Sequence, residues 1–148
     1  MTQNPTPTSL FPIPEGFTQA RAKSPFNALC GPYYEKQEDG VDMCVAIHLE
    51  NKHLNQQEMG HGGMLMALAD NAMGEAARLG YATGTHVVTV SLTSEFMRPA
   101  RLGDWIIARA YIRRSGRSLS FVDCTLSVNE QAIFKASAVF SVVRKTSS

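Results

Sequence analysis

Asp70 follows an unbroken apolar run, Met64-Leu65-Met66-Ala67-Leu68-Ala69, and the pattern continues to Leu79 as a helix that is apolar nearly all the way round. Such a helix is normally wrapped by protein on every side. Burying an ionised carboxylate inside that wrapping is costly unless it is paired or hydrogen-bonded. Chains keep one there mostly where the charge does chemistry. The bland alternative is an ion pair with Arg78, two turns further on. Just ahead of the helix stand Gly60-His61-Gly62-Gly63. A helix N-terminus presents unpaired N–H groups and partial positive charge, which suits an anion. Glycines at 62 and 63 let a substrate approach that backbone closely. His61 could act as a general acid, since imidazole titrates near neutrality, or its ring could tie down a neighbouring loop.

Asp70 lies on the order of 12 Å beyond Gly62 along the helix axis, at ~1.5 Å per residue. Both cannot touch one substrate atom within one subunit. They can share a site only if Asp70 meets the glycine end of a second chain, as two antiparallel helices in a homodimer allow. Elsewhere, His48, His53 and His61 have no metal-ligand spacing, and no cysteine or carboxylate joins them in a pattern, so no metal is expected. Arg98, Arg101, Arg113, Arg114 and Arg117 form a basic set in a nearly neutral chain. Singly they read as solvated turn residues; together they suit phosphate oxygens, which guanidinium matches well.

The elements that must position these residues are legible from periodicity. Val41 to Leu49 has apolar residues at every odd position, the period of a strand, after an Asp39-Gly40 turn. Residues 50–60 are polar and irregular and lead into the helix at about 62–79, which Gly80 ends. Val88, Val90 and Leu92 then alternate with Thr89, Ser91 and Thr93 until Pro99. Strands follow over 105–113, 118–128 and 133–143, with a turn at Ser115-Gly116. The start of the chain is less regular. Residues 1–14 read as an extended lead-in, 14–23 as a short amphipathic helix, 25–32 as a loop, and Tyr33 to Lys36 as the beginning of a strand. The pattern is an α+β fold, an antiparallel sheet wrapped around one central helix. It divides into a lead-in at 1–24, one domain at 25–144 and a tail at 145–148.

The chain has 148 residues, 44% apolar and 18% charged, as one ordinary globular domain does. Its net charge of +1 provides no field to recruit nucleic acid or an anionic membrane. The apolar helix contains Asp70, Glu75 and Arg78 and is no membrane span. Three cysteines, Cys30, Cys44 and Cys124, show no CxxC spacing and suit a reducing compartment. No early segment reads as a secretory signal, so the expected location is the cytoplasm.

Asn55, Gly60-His61-Gly62-Gly63, Leu68-Ala69-Asp70, the later Met97-Arg98-Pro99-Ala100 and the Ser115-Gly116-Arg117-Ser118-Leu119 turn together resemble the hotdog-fold acyl-CoA thioesterases. The resemblance runs from about residue 25 to 143 and is closest to the PaaI-like, phenylacetic-acid-pathway type. It implies that Asp70 is the catalytic carboxylate, as nucleophile or as general base on a water. It makes the Gly62 N–H the oxyanion donor, a role suited to a helix start. Asn55 would position the water or the carbonyl, and Thr89 would face the site across a dimer. Arg117 and Ser118, with Arg114 from the basic set and Gly63 at the helix start, would bind the coenzyme A ester. The implied partners are an acyl-CoA or aryl-CoA substrate and further copies of the chain, as a dimer or a dimer of dimers. No cofactor is implied, since coenzyme A is part of the substrate.

Three rivals use the same residues differently. A dehydratase or hydratase needs a histidine and a carboxylate converging on adjacent carbons, yet His61 is too far along the chain from Asp70 to act with it in one subunit. A non-catalytic acyl-CoA-binding module gains nothing from a carboxylate beside an anionic ligand. A purely structural subunit leaves the Gly62-Gly63 approach unexplained.

Overall fold

The structure, a computed structural model, describes residues 11–144; the first ten residues of the expected lead-in and the expected tail lie outside the described residues. In chain order the elements are β1 (Thr18–Gln19), α1 (Pro25–Cys30), β2 (Tyr33–Glu38), β3 (Val41–His48), a 3-10 turn (Asn51–His53), α2 (Gly62–Leu79), β4 (His86–Phe96), β5 (Trp105–Ser115), β6 (Leu119–Val128) and β7 (Gln131–Val143). The strands form one antiparallel sheet in the order β1-β2-β3-β5-β6-β7-β4, and α2 packs against β3 through β7. This is the expected hotdog arrangement. Met64, Leu65, Leu68, Ala69, Ala72, Met73, Ala76 and Ala77 of α2 are buried, and the alanines let the sheet come close.

The helix is not wrapped on every side, as its composition suggests. Asp70, Asn71, Gly74, Glu75 and Arg78 are only partly buried and mark one open face. A stripe of buried residues at helical spacing satisfies the core, so the remaining face is free to line clefts.

Three local expectations are corrected. Residues 14–23 form no helix: Gly16 turns the chain with φ +87°, and Thr18 and Gln19 pair with Glu35 and Tyr34 of β2. Phe17 instead caps a second apolar cluster with Tyr34, Cys44 and Ala46. Residues 25–30 are helical rather than loop, because Ser24 caps the Asn27 N–H at 3.1 Å and Pro25 occupies the first turn. In β4 the register slips between Thr89 and Ser91, leaving Val90 unpaired in a bulge. Val87 before the bulge and Leu92 after it pack on the core, while Val88 and Val90 are exposed. The expected Val88-Val90-Leu92 face is therefore broken.

His53 ties three of these segments together. It is 3% exposed; Nε2–H donates to the Cys30 carbonyl at 2.6 Å, and Nδ1 accepts from the Glu50 N–H at 2.9 Å. Its own carbonyl accepts the His61 N–H at 2.8 Å. Burial holds its pKa below the ordinary 6.5. The unfolded chain then takes up a proton below 6.5 that the folded protein refuses, so the stabilisation is present above 6.5 and lost as pH falls through the folded value. The melting temperature of the wild type is expected to fall across that window more steeply than that of His53→Gln. Parallel pH profiles would remove His53 as the cause.

Candidate functional site

The open face of α2 lines one cleft, and the helix start lines another. The first, about 290 Å³, holds Asp70 with Asn27, Tyr33, Asn71, Gly74 and Thr89. Thr89 Oγ1 donates to Asp70 Oδ1 at 2.7 Å. Thr89 stands two residues after inward-facing Val87 and so on the same side, and the bulge at Val90 shifts the phase so that Leu92 also faces the core. Asp70 Oδ2 accepts no bond among the described residues, so one carboxylate oxygen is held and the other is open. Arg78 does not pair with Asp70; it pairs with Glu75, which Lys23 also binds at 2.7 Å. Gly74 lies one turn beyond Asp70 on the same face and adds no side chain to the cleft.

The second cleft, about 350 Å³, is lined by Asn55, Gly62, Leu65, Phe96, Met97 and Arg98 among others. His61 is the N-cap of α2, and its Nδ1 accepts the Gly63 N–H at 2.9 Å. The ring is thereby committed to the helix start, and its proton sits on Nε2. Met64 and Leu65 donate to the His61 carbonyl. The Gly62 N–H alone is left without an acceptor among the described residues, while the Gly63 N–H is taken. A Cβ on Gly62 would stand 3.2 Å from the Phe96 ring, which explains glycine there by close approach. Gly60 packs against Ala100 and donates to its carbonyl at 2.8 Å, which accounts for the Pro99-Ala100 pair. Asn55 Oδ1 accepts from Gln57 and Met59 at 2.9 and 3.1 Å, leaving its amide NH₂ as the unused donor.

The structure thus brings Asp70 to Thr89, and Gly62 to Asn55, but keeps the two pairs in separate clefts. Arg114, near the end of β5, and Arg117 and Ser118, on the β5–β6 turn, are exposed. That turn is fastened near the C-terminal end of α2, where Tyr81 donates to the Gly116 carbonyl at 2.7 Å. Arg144 donates to the Arg117 carbonyl at 2.7 Å. Arg113 instead leans on Asp123 at 3.6 Å, and Arg98 stands apart at the Gly62 cleft. Among the described residues, no group of His, Cys, Asp and Glu is gathered to hold a metal ion, and no helix is long and apolar enough to cross a membrane. Tyr33, Asn27, Asn71 and Phe96 also line the clefts, and neither motif nor spacing in the sequence points to them.

Residues 59–134 match the family model described as the thioesterase superfamily. A Pseudomonas aeruginosa protein whose name carries only a provisional esterase assignment is 33% identical, over 86% of this chain and 96% of that one. The acyl-coenzyme A thioesterase PaaI of Escherichia coli is 35% identical over 59% of each chain. The solved structure of the E. coli PaaI protein superposes with a TM-score of 0.73 at 23% identity, covering 84% of this chain and 88% of that one.

Proposed function

Because the chain belongs to the thioesterase superfamily and is a thioester hydrolase, we propose that it hydrolyses acyl-CoA or aryl-CoA esters at two sites, each shared between two copies of the chain. The observation that carries this reading is that both clefts open along β4, the unpaired edge of the sheet. Thr89 and Val87 stand in one cleft, Phe96 and Met97 in the other. Val88 and Val90 are 56% and 60% exposed along that edge, and Phe96 is 53% exposed. A long apolar edge of this kind invites pairing. A two-fold axis across the middle of β4 extends the sheet antiparallel and sets α2 antiparallel to its copy. It brings the Gly62 end of one chain to the Asp70 face of the other, closing the ~12 Å gap along α2. Each cleft alone is at the small end for a ligand pocket.

In that composite site the thioester carbonyl oxygen meets the Gly62 N–H, and the open oxygen of Asp70 faces the carbonyl carbon. Asp70 attacks that carbon, or takes a proton from the water that does. The tetrahedral oxyanion rests on the Gly62 donor, the C–S bond breaks, and coenzyme A leaves as the thiol once protonated. In the nucleophilic route, water then opens the resulting anhydride and restores Asp70. Thr89 orients the carboxylate, and the Asn55 NH₂ orients the water or the carbonyl. The reaction needs no metal or redox cofactor. Arg114, Arg117 and Ser118 lie beyond the C-terminal end of α2, where the nucleotide end of coenzyme A would extend. The compartment that fits is the cytoplasm.

The test is release of free thiol from a panel of CoA esters, acetyl to palmitoyl with phenylacetyl and hydroxybenzoyl, with Asp70→Ala alongside. Asp70-dependent hydrolysis supports the mechanism; binding without hydrolysis points to a non-catalytic module. Asn55→Asp is expected to cut kcat by about 10- to 100-fold, the effect of a positioning group, because the acceptor oxygen that holds the loop survives while the NH₂ donor is lost. Unchanged turnover would remove Asn55 from the site.

A further inference from the structure

The β5–β6 turn is held by its carbonyl oxygens. The Gly116 N–H donates to the Leu119 carbonyl at 2.8 Å and closes a tight hairpin. A Cβ on Gly116 would stand 2.8 Å from that same oxygen, which leaves glycine there. The next three carbonyls each accept one bond from another part of the chain. Tyr81 Oη donates to Gly116 and Arg144 Nη1 to Arg117, both at 2.7 Å, and the Val142 N–H donates to Ser118 at 2.8 Å. Tyr81 follows the Gly80 cap of α2, and Arg144 follows the end of β7. A Cβ on Gly80 would come within 3.1 Å of Ser115 Oγ, so the helix end and the turn approach closely.

In a planar trans peptide the C=O and the N–H point in opposite directions, and both peptide links are trans here. The bond from Tyr81 to the Gly116 carbonyl therefore aims the Arg117 N–H away from Tyr81. The bond from Arg144 to the Arg117 carbonyl likewise aims the Ser118 N–H away from Arg144. Neither N–H has an acceptor among the described residues, and Arg117 and Ser118 are exposed. Successive free N–H groups beside a guanidinium suit phosphate oxygens. A carbonyl turned outward at the same place would repel them.

Resting on the coenzyme A reading of this turn given above, we propose that Tyr81 and Arg144 are positioning residues for the nucleotide end of the substrate. They act through the turn, by fixing the direction of the two N–H groups that meet the phosphates. The acyl end, on the far side of the thioester, is untouched by either.

The experiment compares each CoA ester with the N-acetylcysteamine thioester of the same acyl group, which lacks the nucleotide. Tyr81→Phe keeps the ring and Arg144→Met keeps an apolar stem, and each removes the donor. Each is expected to raise KM for the CoA ester about three- to tenfold with kcat within about twofold, one hydrogen bond expressed in binding. For the truncated ester, which never reaches the turn, kcat/KM should stay within about twofold. Calorimetric titration of adenosine bisphosphate, the nucleotide end alone, into the same proteins should show the same weakening. An equal loss on both esters, or no loss on either, overturns the positioning role. If no ester is hydrolysed, the hydrolytic mechanism fails and the nucleotide titration decides. Weaker binding in both variants then upholds the positioning role, and binding that is unchanged or absent in the wild type overturns it.

Discussion

Asp70→Asn is expected to lower kcat by about three orders of magnitude with the fold and the oligomer intact, a loss typical of removing the group that attacks or activates water. Asparagine has the same shape, and its carbonyl can accept the Thr89 hydroxyl bond that Asp70 Oδ1 accepts now. It cannot attack a thioester or take a proton from water. Asp70 is only partly buried, so no buried counter-charge is stranded, and the stability change should stay within about 0.5 kcal/mol. Thiol release, a melting curve and size-exclusion chromatography on the same preparation separate chemistry from folding. A rate close to wild type would sink the mechanism.

Gly62→Pro carries the second large effect, an expected loss of about 10²- to 10³-fold in kcat, as for deletion of one oxyanion donor. The substitution removes the N–H and adds a ring. Gly62 is the first residue of α2, where proline is favoured, and His61 has φ −63° and ψ 132°, a conformation that proline accepts in its predecessor. The added ring presses on Phe96, whose half-exposed side chain has room to move. The two variants together test the shared site. In a mixed dimer of Asp70→Asn and Gly62→Pro, one site combines both lesions and the other is intact. Random mixing should then restore about a quarter of wild-type activity. If each site were contained in one subunit, every site would carry a lesion and none would recover. Loss of recovery in the mixture would thus overturn the shared site while leaving the role of Asp70 standing.

Much of this arrangement is written locally. The alternation in Val41 to Leu49 specifies β3: Met43, Val45 and Ile47 enter the main core, while Cys44 and Ala46 on the other face are buried in the second apolar cluster. The strands over 105–143 fall within a few residues of their expected ends for the same reason. His61, Gly62 and Gly63 announce a helix start by capping chemistry and small size, and Asp70 announces itself by its contrast with apolar neighbours. The errors are equally local in origin. Ser24-Pro25 is a genuine start signal, but six residues are too few to show a helical period. The bulge at Val90 leaves no mark, since valine fits a paired or an unpaired strand position equally well, and so only the family resemblance, not alternation, points Thr89 at the site.

Neighbouring residues alone dictated the helix, the strands, the capped glycine turn and the carboxylate, because periodicity and end signals act over a few positions. The folded chain decided the rest: which face of α2 stays open, that Thr89 rather than Arg78 reaches Asp70, and that Asp70 and Gly62 line different clefts along one edge strand. Those outcomes rest on contacts between residues far apart in the chain, such as Thr89 with Asp70 and His53 with Cys30, which only packing brings together.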